Sequence, residues 1–139
     1  MVNVLRARKG VTLDRDDGEP LPPAGFRILS VLDQITIRFG IDLEISSGTD
    51  SHTHGSHPTG DAYDVSVRGL SAQQIHDIKD ELEGSLGPLF TVLYEVPTLP
   101  SDPTLRAIAY VSAAATGPHF HVQKKKGTVF PPTEPRMVV

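Results

Sequence analysis

The chain has 139 residues, six histidines, no cysteine, a formal charge of −4 and an isoelectric point near 5.8. That length makes one domain that buries roughly two thirds of its unfolded surface, enough for a single two-layer core, and the acidic balance excludes a general nucleic-acid binder. The lack of cysteine removes disulfides and thiolate ligands from consideration, and no stretch is long and apolar enough to insert in a membrane.

Met1 to Pro23 is charged and proline-containing, and is expected to be an N-terminal arm over 1–23 with one short strand at Gly10 to Leu13. Met1 to Arg8 lacks the apolar run of a secretory signal, so synthesis in the cytoplasm without a signal peptide is expected. Phe26, Ile28, Leu29, Leu32, Ile35 and Phe39 then recur at helical spacing and stop at Gly40, as a C-cap requires. A strand at Ile41 to Ser46 leads into Asp50 to Gly55, where Gly, Ser and Thr argue for a loop and His52 and His54 read as solvated. Ala62 to Arg68 alternates as a strand, with Ala62, Asp64 and Ser66 on one face and Tyr63, Val65 and Val67 on the other.

Ser71 to Glu83 forms a helix with Ile75, Ile78 and Leu82 as its apolar stripe and His76 beside it. Strands near 90–96, 107–112 and 119–125 follow. In the last of these His119, His121 and Gln123 share one face, while Phe120 and Val122 take the core-facing one. Lys124 to Lys126 reads as a solvated strand end that discourages edge pairing. Residues 128–139, with Pro131, Pro132 and Pro135, read as an extended C-terminal tail. The order predicts an α+β domain over 24–127, an antiparallel β-sheet with helices packed on one face.

Two short segments concentrate the chemistry: Ser56 to Asp64, with His57 and a carboxylate seven positions later, and Pro118 to Val122, with His119-Phe120-His121. Zinc takes imidazole nitrogen and carboxylate oxygen, and a catalytic site keeps three protein ligands with an open fourth position. His57, Asp64 and one of the two later histidines would fill three positions. Two adjacent strands could bring them to one point.

The run from Ser56 to Asp64 resembles the Ser-x-His-x-x-Gly-x-Ala-x-Asp motif of zinc peptidases that cleave D-alanyl bonds, and Pro118 to Val122 resembles their later His-x-His. The similarity spans roughly Ile45 to Gln123. The group joins D-Ala-D-Ala metallopeptidases, phage M15-type endolysins, penicillin-insensitive murein endopeptidases and the zinc-binding domain of hedgehog proteins. The resemblance implies a hedgehog/DD-peptidase-like fold and one Zn²⁺ held by His57, Asp64 and His121. It further implies that His119 is a non-ligand histidine stabilising the tetrahedral oxyanion.

A general base is needed beside such a metal, and Glu95, at the end of the apolar run Thr91 to Glu95, is the candidate, with Asp61 and Asp102 as weaker substitutes. Here the sequence departs from the resemblance, because Val96 to Pro118 separates Glu95 from His119 where relatives have a few residues. A second departure is upstream: Ile45 to Asp50 lacks the arginine that relatives place before the first histidine to hold a substrate carboxylate or transition-state charge. Arg6, Arg8, Arg27, Arg38, Arg68 and Arg106 are the candidates to supply that charge from elsewhere.

The expected function is therefore a zinc metallopeptidase acting on peptidoglycan stem or cross-bridge peptides, as an endopeptidase or D,D-carboxypeptidase of a phage or bacterial cell-wall lytic system. It would act at the wall after release or as part of a virion. The alternative is a non-catalytic, zinc-stabilised binding or virion structural domain of the same fold, favoured by the missing arginine and the displaced Glu95.

Overall fold

The computed structural model describes residues 3–13, 15, 19–49 and 59–131. Helix α1 (Pro23–Phe39) begins with Pro23, which fits the first turn because its missing N–H would have no helical partner there. It buries Ala24, Ile28, Val31, Leu32 and Ile35, while Phe26 faces solvent at 60% exposure. Gly40 ends it at φ 63°, the left-handed conformation that glycine adopts without a Cβ clash, and its N–H donates to the Thr36 carbonyl. Helix α2 (Ala72–Leu86) starts from a reciprocal cap. Ser71 Oγ accepts from the Gln74 N–H at 3.1 Å and the Gln74 side chain accepts from the Ser71 N–H at 2.9 Å. Ile75, Ile78, Leu82 and Leu86 form its buried stripe.

Among the described residues six strands make one sheet: β1 (Leu5–Ala7), β2 (Leu43–Ser47), β3 (Ala62–Ser66), β4 (Phe90–Val96), β5 (Ala109–Val111) and β6 (His119–Lys124), in the spatial order β1-β2-β3-β6-β4-β5. The four central strands pair antiparallel, but β1 runs parallel to β2 and β5 parallel to β4. The sheet is thus mixed, which corrects the expectation of a purely antiparallel one. Parallel neighbours need a crossover. Helix α1 is the crossover from β1 to β2, and a short helix α3 (Pro103–Ile108) lies between β4 and β5.

The expected strand at 107–112 is shortened for the same reason. Asp102 caps α3 by accepting from the Thr104 and Leu105 N–H groups at 2.8 and 3.1 Å, and Pro103 fills its first turn. The strand then occupies only Ala109–Val111. The strand expected at Gly10 to Leu13 is instead at Leu5–Ala7, since the chain turns at Lys9 and Gly10. The segment after that turn is still held to the sheet. The Thr12 carbonyl accepts from the Thr49 N–H at 2.9 Å, and Tyr63 Oη donates to the Leu13 carbonyl at 2.8 Å.

One face of the sheet is apolar. Tyr63, Val65, Phe120 and Val122 are fully buried there with Val92, Tyr94 and Val96, and the buried stripes of α1 and α2 complete the same core. Glycine lets α1 come close to the turn before β3: a Cβ on Gly25 would stand 2.3 Å from the Gly60 carbonyl oxygen. The opposite face of β3, β6 and β4 carries the polar side chains, with Ala62 and Leu93 as its apolar members. Among the described residues, no helix is long and apolar enough to cross a membrane.

Candidate metal centre

The site follows from register. In the β3–β6 ladder Asp64 stands opposite His121, and in the β6–β4 ladder Glu95 stands opposite His119. Side chains alternate between faces along a strand, so His119 and His121 share the polar face while Phe120 between them anchors the core. Opposed Cβ atoms on antiparallel strands are about 4.5–5.5 Å apart. Four side chains from three adjacent strands therefore meet without help from a loop. His121 Nδ1 lies 2.8 Å from Asp64 Oδ1 and 3.9 Å from Glu95 Oε1, and His119 Nε2 lies 3.2 Å from Glu95 Oε1 and 3.8 Å from Asp64 Oδ1. All four side chains are between 14% and 18% exposed.

The excursion from Val96 to Pro118 leaves this geometry intact. It is spent on α3 and β5 at the sheet edge, and the chain returns to pair β6 with β4. Glu95 and His119, 24 residues apart in sequence, are hydrogen-bonding neighbours.

The arrangement is rich in acceptors. His119 Nδ1 is 2.9 Å from the Gly117 carbonyl, which can only accept, so the proton belongs on Nδ1. Its Nε2 then faces two carboxylates. His121 Nδ1 donates to Asp64, and its Nε2 is 2.8 Å from the Gln123 side-chain oxygen. Burial of the His121 ring opposes its charge, but the hydrogen bonds to Asp64 and Gln123 and the charges of Asp64 and Glu95 outweigh that cost. The imidazolium is consequently held above its usual range. Such a cluster is satisfied either by protons on the rings or by a cation. The ligand atoms of Asp64, Glu95 and His119 all lie within 4.8 Å of one another, a set able to hold a metal ion. Imidazole nitrogen with carboxylate oxygen is a donor set that zinc accepts.

Of the residues singled out from the sequence, Asp64, Glu95, His119 and His121 come together. His57 lies outside the described residues, as do His52 and His54. Asp102 is engaged in capping α3. Asp61 accepts from Thr59 Oγ1 at 3.0 Å and is not in the metal-competent group. His76 pairs with Asp77 on α2 at 3.1 Å. Among the arginines, Arg27 donates to the Ser85 carbonyl at 2.6 Å and Arg38 pairs with Glu81. Arg8 and Arg68 line a cavity of about 550 Å³ that His119 also lines. Gln123 and the Gly117 carbonyl were not assigned a role from the sequence. The signal for Gln123 was its position two residues beyond His121 on the same strand face.

Comparison of the chain with protein-family models, with curated proteins and with solved structures found no match.

Proposed function

We propose that the protein is a zinc-dependent peptidase of the D-Ala-D-Ala metallopeptidase-like group, with the corresponding hedgehog/DD-peptidase-like fold, acting on peptidoglycan peptides. The observation that supports this most is the convergence of two carboxylates and two imidazoles on the polar face of three strands, with acceptors in excess. In this reading Asp64, His121 and His57 hold the ion. Zinc bound there would polarise a peptide carbonyl as a Lewis acid and bring the pKa of a water molecule near neutrality.

The protein's own groups have separate tasks. Glu95 takes a proton and returns it to the leaving amine, a role that needs a carboxylate within hydrogen-bond reach of the reacting atoms. His119, fixed through Nδ1 by the Gly117 carbonyl, offers Nε2 as a donor to the developing oxyanion when protonated. Gln123 Oε1, 2.8 Å from His121 Nε2, would orient the ring by accepting from Nε2–H, and Nδ1, which faces Asp64 while no ion is bound, would be the ligand atom.

The four-residue cluster also favours a second ligand set, Asp64, Glu95 and His119, which would leave no free carboxylate as base. A synthetic stem pentapeptide, followed by chromatography with zinc and with chelator, tests the peptidase reading. Zinc-dependent release of a shorter peptide is expected, together with its loss in Glu95→Gln at unchanged zinc content. Stoichiometric zinc with no turnover of any wall peptide would reject the enzyme and leave the zinc-stabilised binding domain.

A further inference from the structure

A row of paired residues runs across the polar face of the sheet and continues past the metal centre. Ser66 stands opposite His119, His119 opposite Glu95, and Glu95 opposite Tyr110 on the edge strand β5. The facing of Tyr110 is fixed by its neighbour. Ala109 pairs with the buried Tyr94 and packs against the core, so the next residue along the strand projects to the other side. Adjacent strands are about 4.8 Å apart. Tyr110 is therefore the next side chain of the row beyond Glu95, on the side away from His119. It is 52% exposed and makes no hydrogen bond among the described residues, whereas Tyr63 and Tyr94 are buried. It comes from the excursion between Val96 and Pro118, the segment in which the sequence departs from the resemblance.

Leu93 shares this face. It precedes Glu95 by two residues on β4, stands opposite His121 and is half-buried. Leu93 and Tyr110 thus put apolar surface next to Glu95 on β4 and β5, while Asp64, His119 and His121 approach it from β3 and β6. A ring that the fold leaves in water, beside a half-buried aliphatic side chain, is a surface that an apolar group gains by covering. The chemistry says which group that is. In the peptidase reading the scissile carbonyl is at the ion and Glu95 returns its proton to the leaving amine, so the residue carrying that amine lies on the Glu95 side of the bond.

Building on that reading, we propose that Leu93 and Tyr110 form an apolar shelf for the side chain of the residue that supplies the leaving amine, so that an apolar residue is taken there in preference to glycine. Both are specificity-determining residues and have no part in proton transfer. The ring of Tyr110 carries the contact, and its hydroxyl is dispensable.

The test is an NMR titration of the zinc-loaded protein, ¹³C-labelled in its tyrosine rings and leucine methyl groups, with D-leucinamide and, separately, with glycinamide. Both carry the free amine of a leaving product, so they differ only in the side chain. D-Leucinamide is expected to shift the Tyr110 ring and Leu93 methyl signals to saturation while the buried Tyr63 and Tyr94 stay in place, and glycinamide is expected to shift neither Tyr110 nor Leu93. Tyr110→Ala should weaken D-leucinamide binding roughly tenfold, the scale of one lost aromatic contact, as read at the Leu93 methyl groups, and Tyr110→Phe should keep it. Equal responses to the two amides, a shift at Tyr94, which lines the cavity beside His119, in place of Tyr110, or unchanged binding by Tyr110→Ala would each overturn the proposal. Hydrolysis of the stem pentapeptide is read in parallel. Side-chain-dependent binding at Tyr110 without hydrolysis keeps the shelf and rejects the peptidase, whereas hydrolysis with equal responses to the two amides keeps the peptidase and rejects the shelf.

Discussion

Zinc should act on this protein as a stabilising ligand whose effect can be sized in advance. A ligand that binds only the native state stabilises it by RT ln(1 + [L]/Kd), about 4.1 kcal/mol at a thousandfold excess over Kd. Unfolding entropy near the midpoint is about 2.1 cal/mol/K per residue. For 139 residues that gives roughly 0.29 kcal/mol/K, so each kcal/mol moves Tm by about 3.4 °C. Saturating zinc is therefore expected to raise Tm by about 14 °C over the chelated protein. Differential scanning calorimetry at fixed pH, with and without chelator, reads it directly. Asp64 belongs to both ligand sets and bonds His121 at 2.8 Å, so Asp64→Asn should abolish the zinc-dependent rise. An identical Tm with zinc and with chelator, or a full rise in Asp64→Asn, would refute the reasoning.

The two candidate ligand sets separate by elemental analysis: His121→Ala should lose stoichiometric zinc and His119→Ala should keep it, and the reverse would assign the ion to Asp64, Glu95 and His119. With zinc retained, His119→Ala should slow turnover by roughly a hundred- to a thousandfold, as loss of an oxyanion donor typically does. In the chelated protein His121 has a folded-state pKa above its ordinary 6.5. Its contribution to stability is then complete below about pH 6.5 and lost as pH rises through the folded value. Chemical denaturation should find this contribution smaller at pH 8 than at pH 6 and absent from His121→Asn; an equal pH dependence in the variant would contradict it. Zinc affinity should run the other way and fall on acidification, because the ligand imidazoles must shed their protons. Ser71→Ala removes the side-chain acceptor that caps α2 and should cost about 1 kcal/mol, read as a Tm about 3 °C lower with zinc content unchanged.

Period and punctuation made parts of this fold legible. Alternation in Ala62 to Arg68 and in 119–125 identified two strands to within two residues of Ala62–Ser66 and His119–Lys124, and it put Asp64, His119 and His121 on polar faces. Gly40 marked the end of α1. Phe26, counted on the apolar stripe from its spacing, faces solvent, and Ala24 and Val31 take the buried positions. Pairing was not legible, because alternation names a face and not a neighbour. Nothing local in Glu95 or His119 says that β6 inserts between β3 and β4, yet that insertion brings the two residues within 3.2 Å. The Asp102-Pro103 start of α3 was legible as an N-cap followed by a first-turn proline, and the apolar run after it masked that signal. That Arg68 lines the same hollow as His119 follows from the turn before α2 and is not readable from its place in the sequence.

Mass spectrometry of purified peptidoglycan after incubation with the zinc-loaded protein bears most directly on the peptidase. New wall peptides are expected, the two products of each cut together heavier by one water than the uncut peptide, with none formed by Glu95→Gln or in chelator. A peptide profile identical to that of untreated peptidoglycan, from protein shown to hold one zinc per chain, would contradict the account.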